Sequence, residues 1–211
     1  MASVDLTYDA AISNREKVLI KGRLYKADVF ITGSGGQRFV VKDFSQKGFW
    51  ERNLVGRIVI GREARAYAAL TGVDGLPAKF KKLSSFSFAV EYLEGKDFGS
   101  LAQGALGPEV IRQFERIVNE LHERGWVHLD LHRRTNILLV DGNVFVVDLA
   151  SSLHTGSVPL IGRCYTRLVG LADRLSLIKM KTVFAPELMS VQERKLLKLR
   201  NRIMPTKWDI S

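Results

Sequence analysis

Apolar and polar positions change their spacing partway along the chain. In the first part, short apolar runs are cut by glycine: Val18 to Ile20, broken at Gly22, then Asp28 to Thr32, the turn Gly33-Ser34-Gly35-Gly36, and Arg38 to Asp43. Runs of this length joined by tight turns predict three antiparallel strands in a meander. The polar first sixteen residues predict no element. Leu54 to Leu70 switches to an alanine-rich helical pattern with Glu63 in its middle, ended by Thr71-Gly72. Phe80 resumes the sheet, and Phe86 to Tyr92 alternates with period two, as a half-buried strand does.

Leu93 to Asp97 predicts a connector. Beyond it Pro108 opens a helix whose stripe is Val110, Ile111, Phe114, Ile117, Val118 and Leu121, with Gly125 just past its end. Ile137 to Val140 and Val144 to Val147 predict two short strands, and Asp141-Gly142 between them is a hairpin turn. Leu160 to Met180 carries helically spaced apolar positions with basic residues between them. Ser190-Val-Gln-Glu matches a capping box and starts a final helix. A sheet with one helix, a connector, then a mostly helical part holding one hairpin predicts an α+β fold. We expect two lobes, residues 1–94 and 95–211, with a cleft between them.

Composition narrows the classes. A chain of 211 residues with 46% hydrophobic and 26% charged residues can bury a core and is not disordered. The single cysteine, Cys164, excludes an internal disulfide and fits a reducing cytoplasm. No signal peptide and no apolar stretch of membrane-spanning length is visible, so the expected location is the cytoplasm, with peripheral attachment to the inner face of the membrane as an option. The net charge of +10 is unevenly placed: eleven Lys and Arg against four Asp and Glu follow Ser151. That field attracts anionic lipid, nucleic acid or an acidic substrate, and a solvated basic face is the bland alternative.

The chemistry gathers in His128 to Asp148. Asp130 and Asn136 precede the hairpin and Asp148 follows it, so oxygen ligands sit on loops at the ends of a stiff ribbon, which suits a magnesium–phosphate site. A rival reading is a transition-metal site, because His128, Asp130 and His132 alternate. It leaves Asn136, Asp148 and Lys42 unused, and His128 then reads better as a structural histidine pinning the loop.

Five signatures occur in order: V-V-K with Lys42, R-E-A-R-A-Y with Glu63, H-L-D-L-H with Asp130, N-I-L-L with Asn136 and V-D-L-A with Asp148. From about Val18 to Ser151 the chain resembles the protein-kinase-like superfamily. It is similar to its small bacterial members, the RIO-type kinases and the kinases of lipopolysaccharide-core sugars. The resemblance implies ATP and Mg2+ as cofactors. Lys42 would hold nucleotide phosphates and Glu63 would fix Lys42 by an ion pair. Asp130 would orient the acceptor hydroxyl and take its proton, and Asn136 and Asp148 would ligate magnesium. Glu91, Tyr92 and Leu93 fall where such kinases present backbone to adenine, and Gly22 lies in the phosphate loop.

Three departures accompany the match. Lys21 to Ala27 holds one glycine where three are usual, so fewer amides approach a phosphate, with Arg23 and Lys26 available to compensate. Asn136 follows Asp130 by six residues instead of five, so the loop must bulge or shift its ligand. The third motif is D-L-A, without the usual Phe-Gly. Ala185-Pro186-Glu187 matches an activation-segment ending in letters only, and no phosphorylation-controlled loop is inferred from it. The expected function is transfer of the γ-phosphate to a hydroxyl of a glycolipid sugar or a protein Ser/Thr, met by the basic helices after Pro159. A pseudokinase-like binding module competes with it, and a nucleic-acid binder driven by charge ranks last.

Overall fold

A computed structural model describes residues 5–102, 105–155, 166 and 168–203. The chain divides into two compact units: residues 1–72, 77–94 and 148–150 form the first, and residues 73–76, 95–147 and 151–211 the second.

The first unit is built on a five-stranded antiparallel sheet of β1 (Arg15–Ile20), β2 (Asp28–Ser34), β3 (Gln37–Asp43), β4 (Phe80–Lys82) and β5 (Ser87–Glu91), in spatial order β1-β2-β3-β5-β4. The β2–β3 register runs from Asp28↔Asp43 to Ser34↔Gln37, and Gly35 and Gly36 both take positive φ, as a two-residue hairpin turn demands. The turn thereby fixes Lys42 opposite Val29 on one side, and Phe88 lies opposite it on the other. The N-terminal stretch, where no element is predicted, forms a short helix α1 (Tyr8–Ser13), capped by the Thr7 hydroxyl at 3.2 Å from the Ala10 amide. Its Ala11 joins Leu6, Phe30, Phe39, Val41 and Ala89 in the core. Six residues are too few to show a helical period, which is why the pattern misses it.

The predicted helix at Leu54 begins earlier, as a π-helix over Glu51–Gly56 that passes into α2 (Arg57–Ala69). Gly56 seats this run on Phe44: an added Cβ would lie 2.8 Å from the Phe44 Cβ. Ile60, Ala64, Ala66 and Tyr67 form the buried face, together with the carboxylate-bearing Glu63.

The second unit holds β6 (Lys96–Asp97), β8 (Ile137–Val140) and β9 (Asn143–Val146) in one sheet, and β7 (Trp126–Val127) with β10 (Leu153–His154) in another. Asp141 and Gly142 take φ of 48° and 80°, the type I′ geometry expected from Asp-Gly. Helix α3 (Pro108–Glu123) buries Ile111, Phe114, Ile117, Val118 and Leu121, the stripe read from its periodicity. Phe98 meets Phe114 and Phe184 edge-on, at 6.4 and 6.1 Å between ring centroids.

Of the predicted basic segment, Pro159, Leu160, Ile161 and Cys164 lie outside the described residues, and most of the described part forms α4 (Leu171–Phe184). The capping box at Ser190 is complete: the Ser190 amide donates to Glu193 at 2.7 Å, and the Glu193 amide donates to the Ser190 hydroxyl at 3.2 Å. It opens α5 (Val191–Ile203). Lys181, one of the cations of the predicted basic field, is instead buried and bridges Glu115 of α3 and Glu193 of α5 at 2.8 and 2.7 Å. No described helix is long and apolar enough to cross a membrane.

Candidate active site

The predicted site residues fall in both units. In the first, Lys42 leaves β3 with its ammonium 2.7 Å from Glu63 Oε1 and 2.6 Å from Asp148 Oδ1. The Glu63 side chain is fully buried, Lys42 is 15% exposed and Asp148 is 42% exposed. Burial pushes the Glu63 carboxyl up to about 7 against the pull of the Lys42 ammonium. Burial also works against the Lys42 charge, but Glu63 and Asp148 outweigh it and the ammonium is held above its ordinary value. The pair therefore stays charged only while its partners hold it. Asp148 itself adopts a left-handed φ of 64° at the head of a 3-10 turn, Leu149–Ser151, so D-L-A makes the reversal without glycine.

Gly22 is packed where a Cβ would sit 2.2 Å from the Lys26 carbonyl oxygen, so only glycine fits. Its amide, expected to face a phosphate, is engaged inside the loop, donating to Asp28 Oδ1 at 2.9 Å. Lys47 closes the same clasp, donating to the Gly22 carbonyl and to Asp28 Oδ1, both at 2.8 Å. Burial raises the Asp28 carboxyl, yet Lys47 and Lys21 bring it below its ordinary value. Sequence reading misses this clasp, because Asp28 and Lys47 belong to no motif. Glu91 ends β5 opposite Phe39 and donates its amide to the Lys79 carbonyl at 2.8 Å, while its carboxylate accepts from the Ala78 amide at 2.9 Å. The Tyr92 amide donates to the Arg38 carbonyl at 2.9 Å, and Leu93 follows half-buried.

In the second unit, Asp130 and Asn136 come together. Asn136 Nδ2 donates to the Asp130 carbonyl and to Asp130 Oδ2, both at 3.1 Å, which turns its amide oxygen away from Asp130. The extra residue between them is absorbed by a 3-10 turn over Arg134–Asn136, begun by the Arg133 amide donating to the Asp130 carbonyl at 3.2 Å. Asp130 Oδ1 faces Arg133 Nε at 3.3 Å and His132 Nδ1 at 3.4 Å.

His128 is buried. The Asp130 amide donates to its Nδ1 at 3.3 Å, so Nε2 carries the proton and donates to the Val147 carbonyl at 3.1 Å. That is a structural role. Among the described residues no group of three or more His, Cys, Asp or Glu is placed to hold a metal, which counts against a transition-metal site at His128, Asp130 and His132.

Asp173, visible in the sequence only as a charge, organises this loop. It is fully buried, accepts from the His128 and Leu129 amides at 2.8 Å each, and faces His122 Nε2 at 3.0 Å. Leu129 is held at a φ of 67°, which a leucine adopts only when its surroundings over-determine it. An acid at helical spacing from Leu177 and Met180, on the face that α4 buries, is the one signal that points to it.

No protein-family model matches the chain. "Putative serine/threonine-protein kinase YrzF" of Bacillus subtilis (strain 168) is 28% identical over 145 residues, 68% of this chain and 63% of that protein, so the chain spans under two thirds of its relative. The Rio2 kinase from Chaetomium thermophilum superposes with a TM-score of 0.59 at 14% identity, covering 90% of this chain and 68% of that one. Its ADP/Mg2+-phosphoaspartate complex gives 0.57 at 13%, covering 90% and 67%. The chain has the protein-kinase-like α+β fold that its motifs imply.

Proposed function

We propose that this protein is an ATP-dependent kinase that transfers a γ-phosphoryl group to a hydroxyl, with a protein Ser/Thr as acceptor. One observation carries the reading: Lys42 is held between a sealed carboxylate, Glu63, and an accessible one, Asp148. A cation fixed in this way is a preorganised partner for phosphate charge. The Rio2 kinase of the same fold, solved also as an ADP/Mg2+ complex, supports the cofactors, and the Bacillus relative's name supports the Ser/Thr acceptor.

In this reading Lys42 binds nucleotide phosphates and Glu63 positions it. The backbone of Glu91 and Leu93 meets the adenine. Gly22 shapes the phosphate loop through its fit and lends no amide to the phosphates. The Asp148 carboxylate and the Asn136 amide oxygen are hard donors of the kind magnesium takes, and the bound ion would neutralise phosphate charge. Asp130 accepts the proton of the acceptor hydroxyl as its oxygen bonds to the γ-phosphorus. The bond from phosphorus to the β,γ-bridging oxygen breaks and ADP leaves. Dependence on ATP fits a cytoplasmic location.

A sugar hydroxyl of an anionic envelope glycolipid, such as lipopolysaccharide core, is the second acceptor reading. Helix α5 favours it, having no buried side chain among its described residues and carrying five Lys and Arg against one Glu. Turnover of Mg-ATP by the wild type, Asp130→Ala and Asp148→Ala decides the main point. Both variants should fall to background. Equal phosphate release by all three sinks the kinase, and ATP binding without release by any of them makes the protein a pseudokinase-like module. Labelled ATP offered to protein and lipid fractions then identifies the acceptor.

A further inference from the structure

The helical run from Phe49 to Ile58 leaves an apolar stripe uncovered. Phe49 and Trp50 meet edge to face at 5.4 Å and are 64% and 72% exposed. Leu54 and Ile58 follow at four-residue steps, 57% and 62% exposed. This is not loose core. The opposite side of the run is seated on Phe44 through Gly56 and buries Ile60, Ala64 and Tyr67. The stripe is the outward side of a fixed helix. Single exposed apolar residues are ordinary; four gathered on one short run are not.

Its charged border has one sign. Arg57 lies in this run and Arg62 and Arg65 follow on α2, all three exposed, while Glu63 is buried against Lys42 and Glu51 is half-buried. Arg57 lies over the Phe86 ring at 5.0 Å and Arg65 Nε donates to the Gly61 carbonyl at 3.1 Å, but no salt bridge among the described residues neutralises either charge.

We propose that this stripe docks the protein on an anionic phospholipid surface, with the Phe49–Trp50 pair at headgroup depth and the arginines on lipid phosphates. Aromatic rings beside apolar side chains, rimmed by cations, are the composition that headgroup regions take up. The chain's charge of +10 draws it to such a surface. A second copy would bring arginine borders together, so like-charge repulsion opposes self-pairing. The inference does not depend on the kinase reading, and its test needs no ATP.

The full chain and a Trp50→Ala/Leu54→Ser variant are sedimented with vesicles of phosphatidylcholine alone and of phosphatidylcholine mixed with phosphatidylserine. Both substitutions are at exposed positions, and circular dichroism checks that the fold is kept. The wild type should sediment with the mixed vesicles only, the variant at least ~tenfold less, and Arg57→Gln/Arg65→Gln should lose binding and its salt dependence together. Brominated mixed lipid should quench wild-type fluorescence more than that of Trp50→Phe. Three results overturn the proposal: no wild-type sedimentation, equal sedimentation of wild type and stripe variant, or a wild-type dimer in light scattering that the stripe variant dissolves.

Discussion

Among the described residues, two lysines are each clamped by a pair of carboxylates, one in each unit. Lys42 lies 2.7 and 2.6 Å from Glu63 and Asp148, and Lys181 lies 2.8 and 2.7 Å from Glu115 and Glu193. Contact distance does not tell them apart; access does. The Lys181 side chain is 3% exposed, and its partners tie three helices together. Lys42 has one sealed partner and one, Asp148, that is 42% exposed on a left-handed loop residue. Glu115 and Glu193 are themselves 34% and 19% exposed, so it is the cation that separates the clamps: sealed at Lys181, the pair is a staple, whereas at Lys42, 15% exposed, a ligand's phosphate can take the place of a protein carboxylate. Buried ion pairs are thus weak markers of function until the exposure of each partner is known.

The comparison breaks most plainly under substitution. Lys42→Met should lower Mg-ATP turnover by about a thousandfold with little loss of melting temperature, because Glu63, its carboxyl already raised by burial, takes up a proton. Lys181→Met should keep turnover per folded molecule and lose about 2–4 kcal/mol in urea unfolding. Equal loss of activity in the two variants would erase the distinction.

Titration sharpens it. The folded Glu63 carboxyl, at about 7, lies above its ordinary 4.5, so the folded state holds a proton in that window that the unfolded state has released. Its contribution to stability therefore grows as pH falls through 7, while turnover falls as the partner of Lys42 is neutralised. Parallel pH series of melting temperature and rate should show these opposite slopes near 7, and Glu63→Gln should remove both limbs. Glu193 shifts the other way: burial raises it, but Lys181 and the Ser190 hydrogen bonds bring it below its usual value. The staple is thus intact at neutral pH and weakens only in acid, as pH falls through the lowered Glu193 value.

A smaller effect is expected at the clasp. Asp28→Asn weakens the hold of Lys47 on the Gly22 loop, and should raise KM for ATP by about tenfold with kcat nearly kept. An unchanged KM would make the clasp purely structural. The smallest concerns the staple's own helix: Ser190→Ala should cost about 1 kcal/mol in unfolding and leave turnover untouched.

Much of the fold and of the site is legible in the amino-acid sequence. The Asp-Gly turn, the apolar stripe of α3, the Ser190 capping box and the order of Lys42, Glu63, Asp130, Asn136 and Asp148 are local facts, written in spacing and in residue type. Helix α1 is not legible, since six residues show no period. Neither is Asp173, since a lone acid on a buried helix face does not reveal which amides it will meet. The six-residue step from Asp130 to Asn136 reads as a bulge or a shifted ligand, and only the structure shows the 3-10 turn that holds the extra residue.

What the chain determines by itself is thus its elements and the kinds of chemistry they carry, because backbone preference and the wetting of one face act over a few residues. Tertiary structure decides which charges meet and which stay open. Lys42 finds Glu63 and Asp148 across 21 and 106 positions, and Lys181 finds Glu115 across 66. Only packing brings such residues within hydrogen-bond reach, and only packing seals one lysine from water while leaving the other partly exposed.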